Sequence, residues 1–144
     1  MPQPTDRFSQ SDSYSEAGIP GLQQKPKALV VDDSTDIAFM LVMILQHAGY
    51  EAVMAVSAIE ALSLAQREHY DVIVSDIAMP QMDGYSLATA LRSLPEYRSV
   101  PMIAVTGFAE YDDLDRALDA GFNTHVKKPV DPATLIELIR TLRS

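Results

Sequence analysis

Residues 28–49 read ALVVDDSTDIAFMLVMILQHAG. The first four, Ala28 to Val31, form a short apolar run, and from Thr35 to Ala48 apolar residues recur at helical spacing until Gly49 stops them. A strand followed directly by a helix is thus the first unit. At their junction stand two adjacent carboxylates, Asp32 and Asp33. Like charges repel, and partial burial strengthens the repulsion, so a fold that ends a buried strand in this pair must compensate it.

Working outward, the unit repeats. Strand-like stretches at 51–56, 72–75, 102–106 and 124–127 alternate with helix-like stretches at 58–68, 84–94, 110–120 and 132–142. Pro95 stops the third helix, Gly121 ends the fourth, and Asp131 stands where the N-cap of the last belongs. Five such units with continuously apolar strands predict an α/β fold: a doubly wound, five-stranded parallel sheet covered on both faces. Residues 1–26, rich in Pro, Ser and Gln without apolar periodicity, are expected to be a disordered tail, leaving 27–144 as the folded domain.

Composition narrows the chemistry. The chain has 144 residues, enough for one domain with a proper core, and 47% are apolar against 22% charged. It has no cysteine and three scattered histidines, His47, His69 and His125, which excludes disulfides and thiol catalysis and disfavours a zinc site. A formal charge of -9 disfavours nucleic acid as a partner. The apolar run 37–45 is far short of the ~20 residues that span a membrane, and the N-terminus lacks a signal-peptide pattern, so a cytoplasmic protein without membrane insertion is expected.

In open parallel sheets ligands sit at the carboxyl ends of the strands. There the sequence places Asp32 and Asp33 after the first strand, Asp76 after the third, Thr106 after the fourth, and Lys127 and Lys128 after the fifth. Three carboxylates converging on one edge call for a hard divalent cation, and Mg2+ suits oxygen ligands beside a phosphate. A lysine and a hydroxyl can hold a further anion. The set is suited to phosphoryl transfer with a carboxylate as nucleophile. Threonine is also a common turn residue, so Thr106 decides nothing alone.

With these residues in place, the sequence resembles the receiver domains of bacterial two-component response regulators. The pieces that carry the resemblance are LVVDDS (29–34), DVIVSDIAMPQMDGYSLA (71–88), VPMIAVTG (100–107) and KKPVD (127–131), at matching intervals across 27–143. The resemblance implies a flavodoxin-like (βα)5 fold with strand order 2-1-3-4-5. It implies Asp76 as phosphoacceptor from a phosphohistidine, on a sensor histidine kinase or a histidine phosphotransfer protein. It also implies that Asp33, Asp76 and the backbone carbonyl of Ala78 hold Mg2+, with Asp32 acting through a water. Lys128, which precedes Pro129, matches the family lysine, and the Lys-Pro bond is expected to be cis. Gly84, in the turn after Asp76, is expected to supply a φ > 0 conformation.

Phosphorylation would bias a two-state equilibrium as Thr106 moves toward the phosphoryl group. Relatives place Tyr or Phe in the fifth strand as a coupled aromatic, whereas this chain has His125, an imidazole that either takes that switch role or simply fills a half-exposed strand position. Two positions that tune phosphoryl lifetime in the family hold Ala78 and Phe108; neither can orient a water, so slow self-hydrolysis is expected.

The first helix raises a separate question. Ile37, Met40, Leu41, Ile44, Leu45 and Ala48 form a stripe expected to face the sheet, leaving Ala38, Phe39, Val42 and Met43 on the outside. An exposed apolar patch usually marks an interface; Phe39, Val42 and Met43 are therefore expected to dock the histidine-bearing partner, the alternative being that the N-terminal tail covers them. In the last helix Leu135, Ile136, Leu138, Ile139 and Leu142 form a core stripe, and Asp112, Asp113, Asp115 and Asp119 of the fourth read as a solvated face.

Because the sequence stops after the last helix, the expectation is a stand-alone receiver signalling to an unknown downstream protein rather than an enzyme. The stretch 117–135 also resembles receivers of hybrid histidine kinases. A Mg2+-dependent phosphatase of the haloacid-dehalogenase type would need a second acid two residues after its aspartate, and neither Asp76 nor Asp32 has one there. A receiver-like scaffold that is never phosphorylated is the remaining alternative, though it has no need of a charged pocket.

Overall fold

The computed structural model describes residues 24–107 and 113–144. Most of the expected tail, Phe108 and Asp112 lie outside the described residues. The strands are β1 (Lys27–Val31), β2 (Glu51–Ala55), β3 (Val72–Asp76), β4 (Met102–Thr106) and β5 (Thr124–Lys127). The helices are α1 (Thr35–His47), α2 (Ala58–Arg67), α3 (Gly84–Arg92), α4 (Asp113–Ala120 in the described residues) and α5 (Pro132–Arg143). The alternation and nearly every boundary agree with the sequence reading to within a residue or two, which is as closely as helix ends can be defined.

All five strands run parallel in the order β2-β1-β3-β4-β5. Successive strand residues point to opposite faces, and the core divides accordingly. Leu29, Val31, Ile73, Met102 and Ala104 pack under α2, α3 and α4. Ala28, Val30, Val74, Ile103 and Val105 pack under α1 and α5. Both faces being covered explains why the inner strands β3 and β4 are buried at every position. The order in which strands are added across the sheet reverses between β1 and β3, the switch point beside which open parallel sheets form a crevice at the carboxyl ends of their strands.

The helices start where their caps dictate. Ser34, Ser57, Asp83 and Asp131 each accept a backbone N–H of the first turn, satisfying a donor that the helix itself leaves free.

One expectation fails on α1. The buried residues are Ala38, Leu41, Val42 and Leu45, while Met40 is exposed along with Phe39 and Met43. Val42 is only 8% exposed and therefore cannot be part of an external docking patch. The physical reason is that α1 is apolar nearly all round. The series starting at 37 and the series starting at 38 both satisfy helical spacing, and the rotation is set by how the Ser34 cap joins the helix to β1.

A second feature has no local signature in the sequence. After α3 a short 3₁₀ turn, Pro95–Tyr97, buries Tyr97 completely. Its hydroxyl accepts the Tyr70 N–H at 3.2 Å and lies 2.9 Å from the carbonyl oxygens of both Ala65 and Glu68, sharing its one proton between them. It thus satisfies the C-terminal end of α2 and the turn into β3. Tyr97→Phe is expected to lower stability by about 1–3 kcal/mol, because it leaves buried backbone groups unpaired; urea unfolding reads the change.

Candidate functional site

Asp32 follows β1 directly and is fully buried. Its N–H donates to the Ala55 carbonyl at 3.1 Å, extending the ladder by one residue, and its Oδ1 accepts the Ser34 N–H at 2.9 Å. Asp33, the next residue, points out to solvent. Asp76 ends β3 and is 3% exposed, so a fully buried strand closes on a carboxylate. Lys128 reaches both buried acids, its Nζ lying 3.5 Å from Asp32 Oδ2 and 3.4 Å from Asp76 Oδ1. It is held there from behind: its backbone N–H donates to the Thr106 carbonyl at 2.7 Å, and the Lys128–Pro129 bond is cis as expected. Thr106 is buried at the end of β4, its hydroxyl donating to the Val126 carbonyl at 3.4 Å.

The charges do not balance. Burial, and then the neighbouring Asp32, hold the Asp76 carboxyl above the ordinary carboxylate range, and Lys128 only partly opposes them. Asp32 Oδ2 is buried and, among the described residues, accepts no hydrogen bond. Asp32, Asp33 and Asp76 each bring a carboxylate oxygen within 4.8 Å of the others. One ammonium thus faces three carboxylates. An all-oxygen donor set with an unsatisfied buried lone pair fits a hard divalent cation, and the exposed Asp33 leaves the site open to solvent for a further ligand.

The loop from β3 to α3 corrects a second expectation. Gly84 does not have a positive φ; the left-handed residue of this loop is Gln81, at φ 70°. Gly84 is required for a different reason. A Cβ there would stand 2.8 Å from Ile77 Cα and closer still to the Asp76 carbonyl oxygen. The Gly84 N–H donates to the Ile77 carbonyl at 2.8 Å, so the loop closes tightly behind the acceptor carboxylate. Ala78 sits exposed at the mouth of this loop.

The remaining candidates are dispersed. His125 is half-buried on β5 in register with Ala104, hence on the same sheet face as Thr106 but one pleat further from the strand ends. Its Nδ1 is buried without a hydrogen-bond partner among the described residues. Phe108 lies outside the described residues. Phe39 and Met43 are exposed, 57% and 51%, and sequence reasoning missed that Met40 joins them and that Ile136 of α5 borders the same patch. The stripe position of Ile136 suits a core residue, but the side chain is only partly buried because it borders the groove between α1 and α5.

Comparison with known proteins agrees with this fold. The family model for the response regulator receiver domain matches residues 28–140. An uncharacterized 14.6 kDa protein of Leptolyngbya boryana is 45% identical over 112 residues, covering 78% of this chain and 86% of that protein. Chemotaxis protein CheY4 of Vibrio cholerae superposes with a TM-score of 0.79 at 34% identity, over 83% of this chain and 99% of that one. The receiver domain of sensor histidine kinase PA1611 of Pseudomonas aeruginosa gives 0.77 at 30% identity, over 83% and 98%, and is described with a magnesium ion coordinated in its active-site cleft. Against transcriptional regulators such as ycf27 of Porphyridium aerugineum, the chain spans about half the relative's length (48%). No helix of the described residues is long and apolar enough to cross a membrane.

Proposed function

This chain belongs to the response regulator receiver family, and from that premise we propose that it is a phosphoacceptor switch centred on Asp76. The observation that carries the reading is the overcrowded acidic pocket: Asp32, Asp33 and Asp76 around Lys128, with the buried Asp32 Oδ2 ion-paired to Lys128 but accepting no hydrogen bond among the described residues.

Asp33, Asp76 and the Ala78 carbonyl would hold Mg2+, with Asp32 acting through a water, and the ion would supply charge neutralisation for the incoming phosphoryl group. A carboxylate oxygen of Asp76 forms the new O–P bond as the P–N bond of a donor phosphohistidine breaks, and the departing imidazole keeps the electron pair. Lys128 takes up charge on the phosphoryl oxygens. The Thr106 hydroxyl, now 3.4 Å from the Val126 carbonyl, leaves that weak bond for a phosphoryl oxygen, and His125 on the same face follows the movement. The product is a signal read by another protein; the donor is a sensor histidine kinase or a histidine phosphotransfer protein, and the setting is cytoplasmic.

Intact mass after incubation with acetyl phosphate tests the reading. One phosphoryl group added only with Mg2+ supports it. No adduct, together with no beryllium fluoride complex, would return the chain to the unphosphorylated scaffold. Mg2+ itself is expected to raise stability by about 2.7 kcal/mol at a hundredfold excess over Kd, and EDTA to reverse the gain, as thermal unfolding would register.

The exposed side chains Phe39 and Met43 support docking of the donor along α1. Phe39→Glu is expected to slow transfer from a phosphohistidine protein at least about tenfold, the cost of one central apolar contact, while leaving acetyl phosphate labelling unchanged. Equal slowing with both donors would place the defect in the pocket rather than the surface.

A further inference from the structure

The outward face of α1 carries one straight stripe. Asp36, Met40, Met43 and His47 follow one another at alternating spacings of four and three residues, and all four are exposed. Phe39 stands beside the stripe, and the apolar surface continues across a groove to Ala133 and Ile136 of α5. Met40 and Met43 are 42% and 51% exposed, Phe39 57%. Large apolar side chains gathered in this way mark an interface rather than a solvated helix face.

The charges on this face are sorted to its two ends. Asp36 in the first turn of α1 and Asp131 at the N-cap of α5 stand at one end. At the other stand His47 in the last turn of α1 and Arg140 and Arg143 in the last turn of α5, where the Arg143 guanidinium lies 5.6 Å from the Tyr50 ring just after α1. Glu137 pairs with Arg140 at 2.8 Å, which leaves Arg143 as the surplus cation. A partner for this face thus needs an apolar middle and the opposite order of charge along its length.

The same face turned end for end meets both needs. The midpoint between Asp36 and His47 is also the midpoint between Met40 and Met43. A two-fold axis through that point sets Asp36 against His47 of the second copy and, in the same register, Met40 against its Met43. An imidazole N–H can donate to the facing carboxylate in either protonation state. Exposed polar pairs add little affinity, so they fix direction and register while Phe39 and the methionines hold the copies together. The flexible thioethers suit identical side chains packing across an axis. Two chains of net charge -9 repel at long range, and a face carrying both signs is where their approach is least opposed.

We propose that this face is a self-association surface, on which two copies of the chain pair antiparallel along α1 about an axis between Met40 and Met43. The pair is of the small, transient class. It covers Phe39 and Met43. If the donor docks on α1, a consequence that rests on the proposed function above, the dimer is the resting form and must open before a phosphohistidine protein can deliver its group.

Sedimentation equilibrium of the full chain from about 1 μM to about 1 mM spans the affinities of such interfaces. The mass is expected to climb from that of one chain towards that of two. Met43→Glu, at an exposed position, should weaken association at least about tenfold. The chain has no cysteine, so the register can be read separately by mixing Asp36→Cys with His47→Cys chains and oxidising with copper phenanthroline. The mixture should give a covalent dimer that neither variant gives alone. In this register two copies of position 36 lie ~16 Å apart along the helix, beyond the ~7 Å between Cα atoms that a disulfide spans. A monomer at every concentration overturns the proposal and leaves the face to another occupant. So does a Met43→Glu chain that associates as tightly as the native one, which would put the contact elsewhere. Cross-linking absent from the mixture, or as efficient with Asp36→Cys alone, would overturn the antiparallel pairing. None of these readouts involves phosphorylation, so a failure here is separate from a failure of the acetyl phosphate test.

Discussion

Replacing Asp76 by Asn is expected to abolish the Mg2+-dependent phosphoryl adduct completely and, in metal-free buffer at neutral pH, to raise stability by about 1–2 kcal/mol. Losing function while gaining stability is the signature of a group held against its own preference. The amide cannot supply the attacking carboxylate oxygen, so no slower route remains. The gain in stability follows from electrostatics. Burial and the charge of Asp32 raise the Asp76 carboxyl above its ordinary range. The folded state therefore binds a proton more tightly than the unfolded chain. This group's contribution is fully present below the ordinary carboxylate value, about pH 4, and is lost as pH rises through the higher folded value. The stability difference between variant and native protein should widen across that window and then level off. Urea unfolding at several pH values in EDTA measures it. A variant no more stable than the native chain at pH 7 would mean that Lys128 already neutralises the pocket.

Gly84→Ala is expected to cost about 3 kcal/mol, the upper part of the range for forcing extra volume into a packed site. The added methyl would meet the Asp76 carbonyl and Ile77 Cα, both backbone atoms and unable to rotate away. The strand end carrying Asp76 must then shift, so labelling by acetyl phosphate should slow as well. Gly107→Ala is the control. It lies beside the same site but has, among the described residues, nothing within 4 Å of where a Cβ would go, and should change stability by less than about 0.5 kcal/mol. Equal losses for both variants would point to backbone flexibility rather than close approach.

Residues acting through the chain's own periodicity were legible. The strand–helix alternation, the Asp131 cap, the parallel sheet, and the meeting of Asp32, Asp33, Asp76, Thr106 and Lys128 at one edge all follow from patterns a few residues long. Those patterns repeat in register, and a parallel sheet must bring its strand ends together. What only the tertiary structure decided are matters of distance between segments remote in sequence. The rotation of α1, which buries Val42 and exposes Met40, depends on the cap geometry that docks it on β1, since a helix apolar all round satisfies either stripe. The need for Gly84 comes from the Asp76 backbone passing behind it, not from a torsion angle. The hydroxyl of Tyr97 closes groups from α2 and from the turn before β3 that no local pattern links. Periodicity is a property of neighbours along the chain and can be read from one sequence; close approach is a property of neighbours in space, and it exists only once the chain has folded.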